Sequence, residues 1–238
     1  MPEAEPREML RTRGLQAWYG ESHILHGIDL VVREGEVVTL LGRNGAGRTT
    51  ILKAILGMVG RRSGSIEVDG VETVGMPTHR IARLGIGYCP EERGIFSNLT
   101  VEENLLLPRE VRAGGLPLEE IYAMFPNLLE RRGSLGTRIS GGEQQMLAMA
   151  RILRTGARLL LLDEITEGLA PVIVQSLHGL IGKLKAKGFT IVLVEQNFHF
   201  AANLADRHYV IERGMIADMI PCEDLVASTG KLNQYLGV

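Results

Sequence analysis

Apolar residues first recur in two short clusters, "LRTRGLQAWY" and "ILHGIDLVV", with Gly20 and Ser22 between them. This pattern predicts strands over residues 10–18 and 24–33. The next run, "EVVTLLG" (36–42), is apolar and β-branched, as in a strand buried on both faces of a parallel sheet. Beyond it, Ile51, Leu52, Ile55 and Leu56 return at helical spacing until Gly57. "SGSIEVDGVE" then reads as a small hairpin turning at Asp69–Gly70.

From about Glu102 to Thr155 the rhythm is helical, in "VEENLLLPREV", "LEEIYAMFPNLLERR" and "EQQMLAMARILR", interrupted at Pro108, Gly114–Gly115 and Pro126. From residue 158 strands and helices alternate: strand "RLLLLDE", helix 172–187, strand "TIVLVE", helix 198–205 and strand "HYVIE". In helix 172–187, Ile173, Leu177, Leu180 and Leu184 mark one buried stripe. The economical architecture is one α/β domain over 11–238, carrying a mostly helical insertion at about 92–155 and preceded by a disordered leader over 1–10. The sequence contains no internal repeat or low-complexity segment.

Composition narrows the functional classes. The chain has 238 residues, is 45% hydrophobic and 23% charged, and has a formal net charge of −2, without the basic excess of a nucleic-acid binder. Cys89 and Cys222 lie far apart, which argues against a disulfide scaffold or structural zinc. No apolar run reaches the roughly 18 residues of a membrane helix, and "MPEAEPREMLRTRG" lacks the apolar centre of a signal peptide. Any service to a membrane would be from its surface.

Three stretches carry chemistry. "GRNGAGRTT" comprises Gly42, Arg43, Asn44, Gly45, Ala46, Gly47, Arg48, Thr49 and Thr50, and follows a strand and opens a helix. In that context the glycines let backbone N–H groups turn toward phosphate oxygens, and the helix N-terminus adds partial positive charge. Thr49 would offer a hydroxyl oxygen to Mg²⁺. The alternative is a Gly-rich turn with no ligand. In "LLLLDE" (159–164) an apolar strand ends in two carboxylates. Asp163 would hold Mg²⁺ and Glu164 would polarise an attacking water. Alone, this stretch reads equally as a strand ending in a solvated acidic turn. The third, "ISGGEQQ" (139–145), puts Ser140, Gly141, Gly142 and Glu143 at a helix start, either a plain N-cap or a second anion site.

Together these stretches closely resemble the Walker A, Walker B and signature motifs of ABC-type ATPases, and the resemblance extends over essentially the whole chain from about residue 11. It implies an α/β, P-loop NTPase ABC ATPase fold with an N-terminal antiparallel β subdomain, a RecA-like core and a helical insertion subdomain. Tyr19 matches the aromatic that stacks on adenine; without the resemblance it would read as a buried strand residue. Glu91, in "YCPEERGIF", matches the position where most members have a metal-contacting Gln. Gln196, in "VEQN", stands where most have a histidine near the γ-phosphate. "TEGLAP" matches the loop that crosses to a partner subunit. "PEERGIFSNLTVEENL", "DEITEGLAP" and "LVEQN" together resemble the ATP-binding subunit of branched-chain amino-acid importers, and urea or amide importers share much of this pattern.

The resemblance implies ATP and Mg²⁺ as cofactors, and a head-to-tail pair of ATPase chains, identical or different. Each ATP would lie between one chain's Gly42–Thr50 loop and the other's Ser140–Gly142. It further implies membrane permease subunits, an indirect solute-binding protein, no nucleic acid, and a cytoplasmic position on the inner face of the membrane. Three departures matter. Gln196 keeps a hydrogen-bond donor but cannot titrate. Ile165 replaces a proline, which would loosen the crossing loop. Arg48 replaces a lysine by a larger planar cation. It leaves two outcomes: an active site adjusted around a guanidinium, or an ATP-binding regulatory subunit with little hydrolysis. A third reading, a soluble ABC protein acting on ribosomes or DNA, lacks its usual second cassette or coiled-coil arms here.

Overall fold

The computed structural model describes residues 7–236. Two sheets form it. The first is antiparallel, in the order β2-β1-β4-β5, from β1 (Glu8–Tyr19), β2 (Ser22–Arg33), β4 (Arg61–Val68) and β5 (Val71–Glu72). The hairpin between β4 and β5 turns at Asp69 and Gly70, both with positive φ. β1 starts inside the segment expected to be a leader: Leu10 is fully buried and pairs with Val32 and Val68. Residues 1–6 lie outside the described residues.

The second sheet has the order β10-β9-β3-β8-β7-β6, from β3 (Val37–Leu41), β6 (Ile86–Cys89), β7 (Leu159–Asp163), β8 (Thr190–Glu195), β9 (Arg207–Glu212) and β10 (Met215–Pro221). β6 to β9 and β3 run parallel, and only β10 is antiparallel, on the edge. Alternate side chains on the central strands enter different cores. Leu159, Leu161, Val192 and Val194 face the antiparallel sheet and α1 (Arg48–Ile55). Leu160, Leu162, Ile191 and Leu193 face the helical side, with α6 (Gly141–Leu153) and α7 (Pro171–Ala186). Burial on both faces explains the unbroken apolar runs of β3, β7 and β8.

The insertion contributes α3 (Val101–Leu106), α4 (Leu118–Met124), α5 (Pro126–Glu130) and α6, the first beginning with a capping box of Thr100 and Glu103. Three further helices lie among the described residues: α2 (Thr78–Ala82), α8 (Phe198–Ala201) and α9 (Thr229–Leu236). The helix expected over 198–205 is shorter than its apolar pattern suggested. Asp206 draws the chain into the sheet, its N–H donating to Val37 O at 2.8 Å and its carboxylate accepting from Val37 N at 2.9 Å. Ile173 is the half-buried end of the α7 stripe, while Leu177, Leu180 and Leu184 are buried.

Candidate functional site

Parallel strands deliver their C-terminal ends to one edge, where β3 runs into Gly42, β7 into Asp163 and Glu164, and β8 into Glu195 and Gln196. The loop after β3 requires its glycines. A Cβ on Gly42 would run into the Ile211 carbonyl, and Gly47 caps α1 at φ 108, a left-handed conformation disfavoured for other residues. No side chain caps α1, and its first turn carries no acidic residue. The N-terminal N–H groups of α1 are therefore left to a ligand of negative charge.

Arg48 is 3% exposed and fits within this loop. Its Nη2 donates to Asn44 Oδ1 at 2.9 Å and to Glu164 Oε1 at 2.6 Å. Its Nη1 is buried without a hydrogen-bond partner, a donor lacking the acceptor that burial demands. Thr49 Oγ1 donates to Asp163 Oδ1 at 3.0 Å. Asp163 is 1% exposed, and burial raises its carboxyl above the usual range despite bonds from Thr49 and Tyr88. A hydroxyl beside a carboxylate is a hard oxygen donor set suited to Mg²⁺.

Glu164 combines strain and crowding. Its φ of 46 is left-handed, uncommon for a residue with a Cβ, and its N–H is held by Val194 O at 2.9 Å. Burial pushes its carboxyl up to about 7, opposed by Arg48 and assisted by Glu167 and Glu91. Carboxylate oxygens of Glu91, Glu164 and Glu167 all lie within 4.8 Å of one another, and Glu91 is raised by partial burial and then by Glu167. Behind them, Glu195 accepts from Thr166 Oγ1 at 2.8 Å and from Thr166 N at 3.2 Å, pinning the loop that follows Glu164. Burial pushes Glu195 up to about 7 as well. Ile165, expected to loosen this loop, is instead buried in the helical-side core.

A cleft of about 260 Å³ is lined by Tyr19, Gly45, Gly47, Arg48, Thr49, Thr50 and Glu164. Tyr19 is 44% exposed, which rules out a buried strand aromatic and leaves its ring free at the cleft. Gln196 lines an adjoining cavity that shares Glu164 and includes Glu167 and Glu195. Arg43, Asn44 and Ala46 also border a cavity on the other side of the loop, beside Arg213 and Tyr235.

Ser140, Gly141, Gly142 and Glu143 line neither cavity at Glu164. Ser140 Oγ accepts from Glu143 N at 3.3 Å, while the Glu143 carboxylate accepts from Ser140 N at 2.7 Å. This capping box gives Glu143 a structural role at the start of α6. Tyr88, Glu167 and Glu195 were not singled out from sequence. A carboxylate directly after the apolar run "TIVLV" was the available signal for Glu195; Tyr88 and Glu167 had none of comparable clarity.

The pattern that defines the ABC transporter family matches residues 25–167. The high-affinity branched-chain amino acid transport ATP-binding protein BraG of Pseudomonas aeruginosa is 41% identical over 238 residues, covering 96% of this chain and 100% of its own. A probable branched-chain amino acid transport ATP-binding protein, LivF, of Archaeoglobus fulgidus is 37% identical, covering 88% of this chain and 90% of its own. A solved structure of an ATP-binding subunit of an ABC transporter superposes with a TM-score of 0.80 at 27% identity, covering 97% of this chain and 100% of that one.

Proposed function

The chain belongs to the ABC transporter family, and on that premise we propose that it hydrolyses ATP to drive uptake of branched-chain amino acids through membrane permease subunits. The observation that carries the hydrolytic chemistry is the convergence at one sheet edge of Thr49–Asp163, Glu164 and the partly unpaired Arg48. The substrate class is supported by similarity to BraG along its full length.

In this reading the loop's N–H groups and the uncapped start of α1 bind the ATP phosphates, and Arg48 Nη1 donates to a phosphate oxygen. Tyr19 stacks on the base. Thr49 and Asp163 would hold Mg²⁺, with Glu91 nearby; once bound, the ion offsets charge on the transferring phosphoryl group. Glu164 accepts a proton from the water whose oxygen attacks the γ-phosphorus, and ADP departs as the bridging bond breaks. Gln196 donates from the adjoining cavity without a pH-dependent charge. Ser140–Gly142 serve the ATP of a second ATPase chain, which would place the pair on the inner membrane face beside permeases and a solute-binding protein.

One observation favours a second reading: the 2.6 Å Arg48–Glu164 bond occupies the base, as a subunit that binds ATP but scarcely hydrolyses it would require. For the substrate, deleting the gene in its host should abolish uptake of labelled leucine, isoleucine and valine while leaving urea uptake intact. Unchanged uptake of all three, or loss of urea uptake instead, would overturn that assignment.

A further inference from the structure

Tyr88 lies on β6, the edge strand whose parallel neighbour β7 ends in Asp163, with Tyr88 opposite Leu161 in the register. Its ring packs half-buried against the core shared by the antiparallel sheet and α1. A phenylalanine would fill that apolar position equally well, so the hydroxyl needs a separate explanation. It donates to Asp163 Oδ2 at 3.2 Å, while Thr49 donates to the other oxygen, Oδ1, at 3.0 Å. Among the described residues these two hydroxyls are the side-chain hydrogen-bond partners of a carboxylate that is 1% exposed, and no Lys or Arg forms an ion pair with it.

The two donors differ in position. Thr49 stands on the phosphate loop, among the groups that would face metal and nucleotide, whereas Tyr88 reaches Asp163 from the neighbouring strand. A carboxylate free at one oxygen can rotate about its Cβ–Cγ bond; one held at both cannot. Outer hydrogen bonds of this kind orient metal-ligating groups, and losing one typically costs about 10- to 100-fold in metal affinity. We propose that Tyr88 is a positioning residue that fixes the Asp163 carboxylate for the divalent cation accompanying the nucleotide. This rests on the reading of Thr49 and Asp163 as the metal-holding pair.

The test measures binding rather than turnover. Mn²⁺ binding to the full chain in the presence of ADP, followed by electron paramagnetic resonance, is compared for the parent and Tyr88→Phe. Calorimetry with ADP in the presence of a chelator gives the metal-free affinity of each. Tyr88→Phe should weaken Mn²⁺ binding about tenfold or more, leave metal-free ADP affinity and melting temperature near the parent's, and raise the Mg²⁺ needed for half-maximal ATPase activity. Mn²⁺ affinity within about twofold of the parent would overturn the proposal. So would an equal loss of metal-free ADP affinity, which marks a general defect in the fold or site. A parent that binds no ADP under either condition would instead sink the nucleotide-site reading, a distinct result.

Discussion

Two helices in this chain begin at glycine-rich segments, and they treat their exposed N–H groups in opposite ways. α1 starts after Gly47 with no side-chain cap, beside a buried Arg48 that has an unused donor and a Glu164 in left-handed conformation. α6 starts after Ser140 with a complete capping box, in which Ser140 and Glu143 satisfy each other's N–H groups. The α1 end keeps unsatisfied donors suited to an anionic ligand. At the α6 end the box satisfies the N–H groups of Ser140 and Glu143 and leaves those of Gly141 and Gly142 uncapped, and none of these residues borders the cavities at Glu164. On the proposed function, the first is a binding half-site whose ligand lies within its own chain's cleft. The second, on the same proposal, meets a ligand carried by another chain.

The contrast can be broken most decisively at Arg48. Arg48→Ala removes the buried cation of the loop and leaves Glu164 facing Glu167 and Glu91 without its ion-pair partner. A fall of about 100-fold or more in kcat/KM for ATP is expected, from steady-state assays; a fall under tenfold would mean that the loop does not depend on it.

Smaller effects come from the buried carboxylate behind the first half-site. Burial holds Glu195 near 7, above the ordinary value of 4.5. Between those values the folded chain keeps a proton that the unfolded chain has lost. This stabilisation is complete below about pH 4.5 and is lost as pH rises through 7. Glu195→Gln should flatten the decline in stability over that window by on the order of 1–3 kcal/mol, measured by denaturant unfolding at several pH values. An unchanged slope would show that Glu195 titrates normally.

Ser140→Ala sharpens the comparison from the other side. Loss of the cap should cost about 1 kcal/mol of stability. It should leave the nucleotide affinity of the monomer unchanged while weakening ATP-dependent dimer formation, measured by calorimetry and light scattering. A loss of monomer affinity would place the signature in its own chain's site and end the contrast.

The elements that make the first half-site were largely readable in the chain because its strands are buried on both faces and its loop glycines follow one of them. The runs around Leu40 and Leu160 leave little freedom of assignment. β6 was not readable: four residues, one of them Gly87, give too short a pattern, and its place depends on the distant β7. Hence Tyr88 carries no signal in the sequence, whereas its partner Asp163 closes a clear apolar run. Likewise the partner of Arg48 is a contact between residues far apart in sequence, set by the turn at Glu164. The sequence poses the question of whether a guanidinium fits the loop; the structure answers it with Asn44 and Glu164 as acceptors.

What fitting does to rate is the central matter, and steady-state ATPase of the purified chain beside Glu164→Gln and Arg48→Lys tests it most directly. An active site adjusted around Arg48 predicts a parent that hydrolyses ATP, with at least about a 100-fold loss in Glu164→Gln. It also predicts an Arg48→Lys rate within about tenfold of the parent's, because the loop holds arginine without displacing Thr49 from Asp163. A parent that binds ATP but does not turn it over, with activity emerging only in Arg48→Lys, would contradict the account and leave Arg48 as a lock on Glu164.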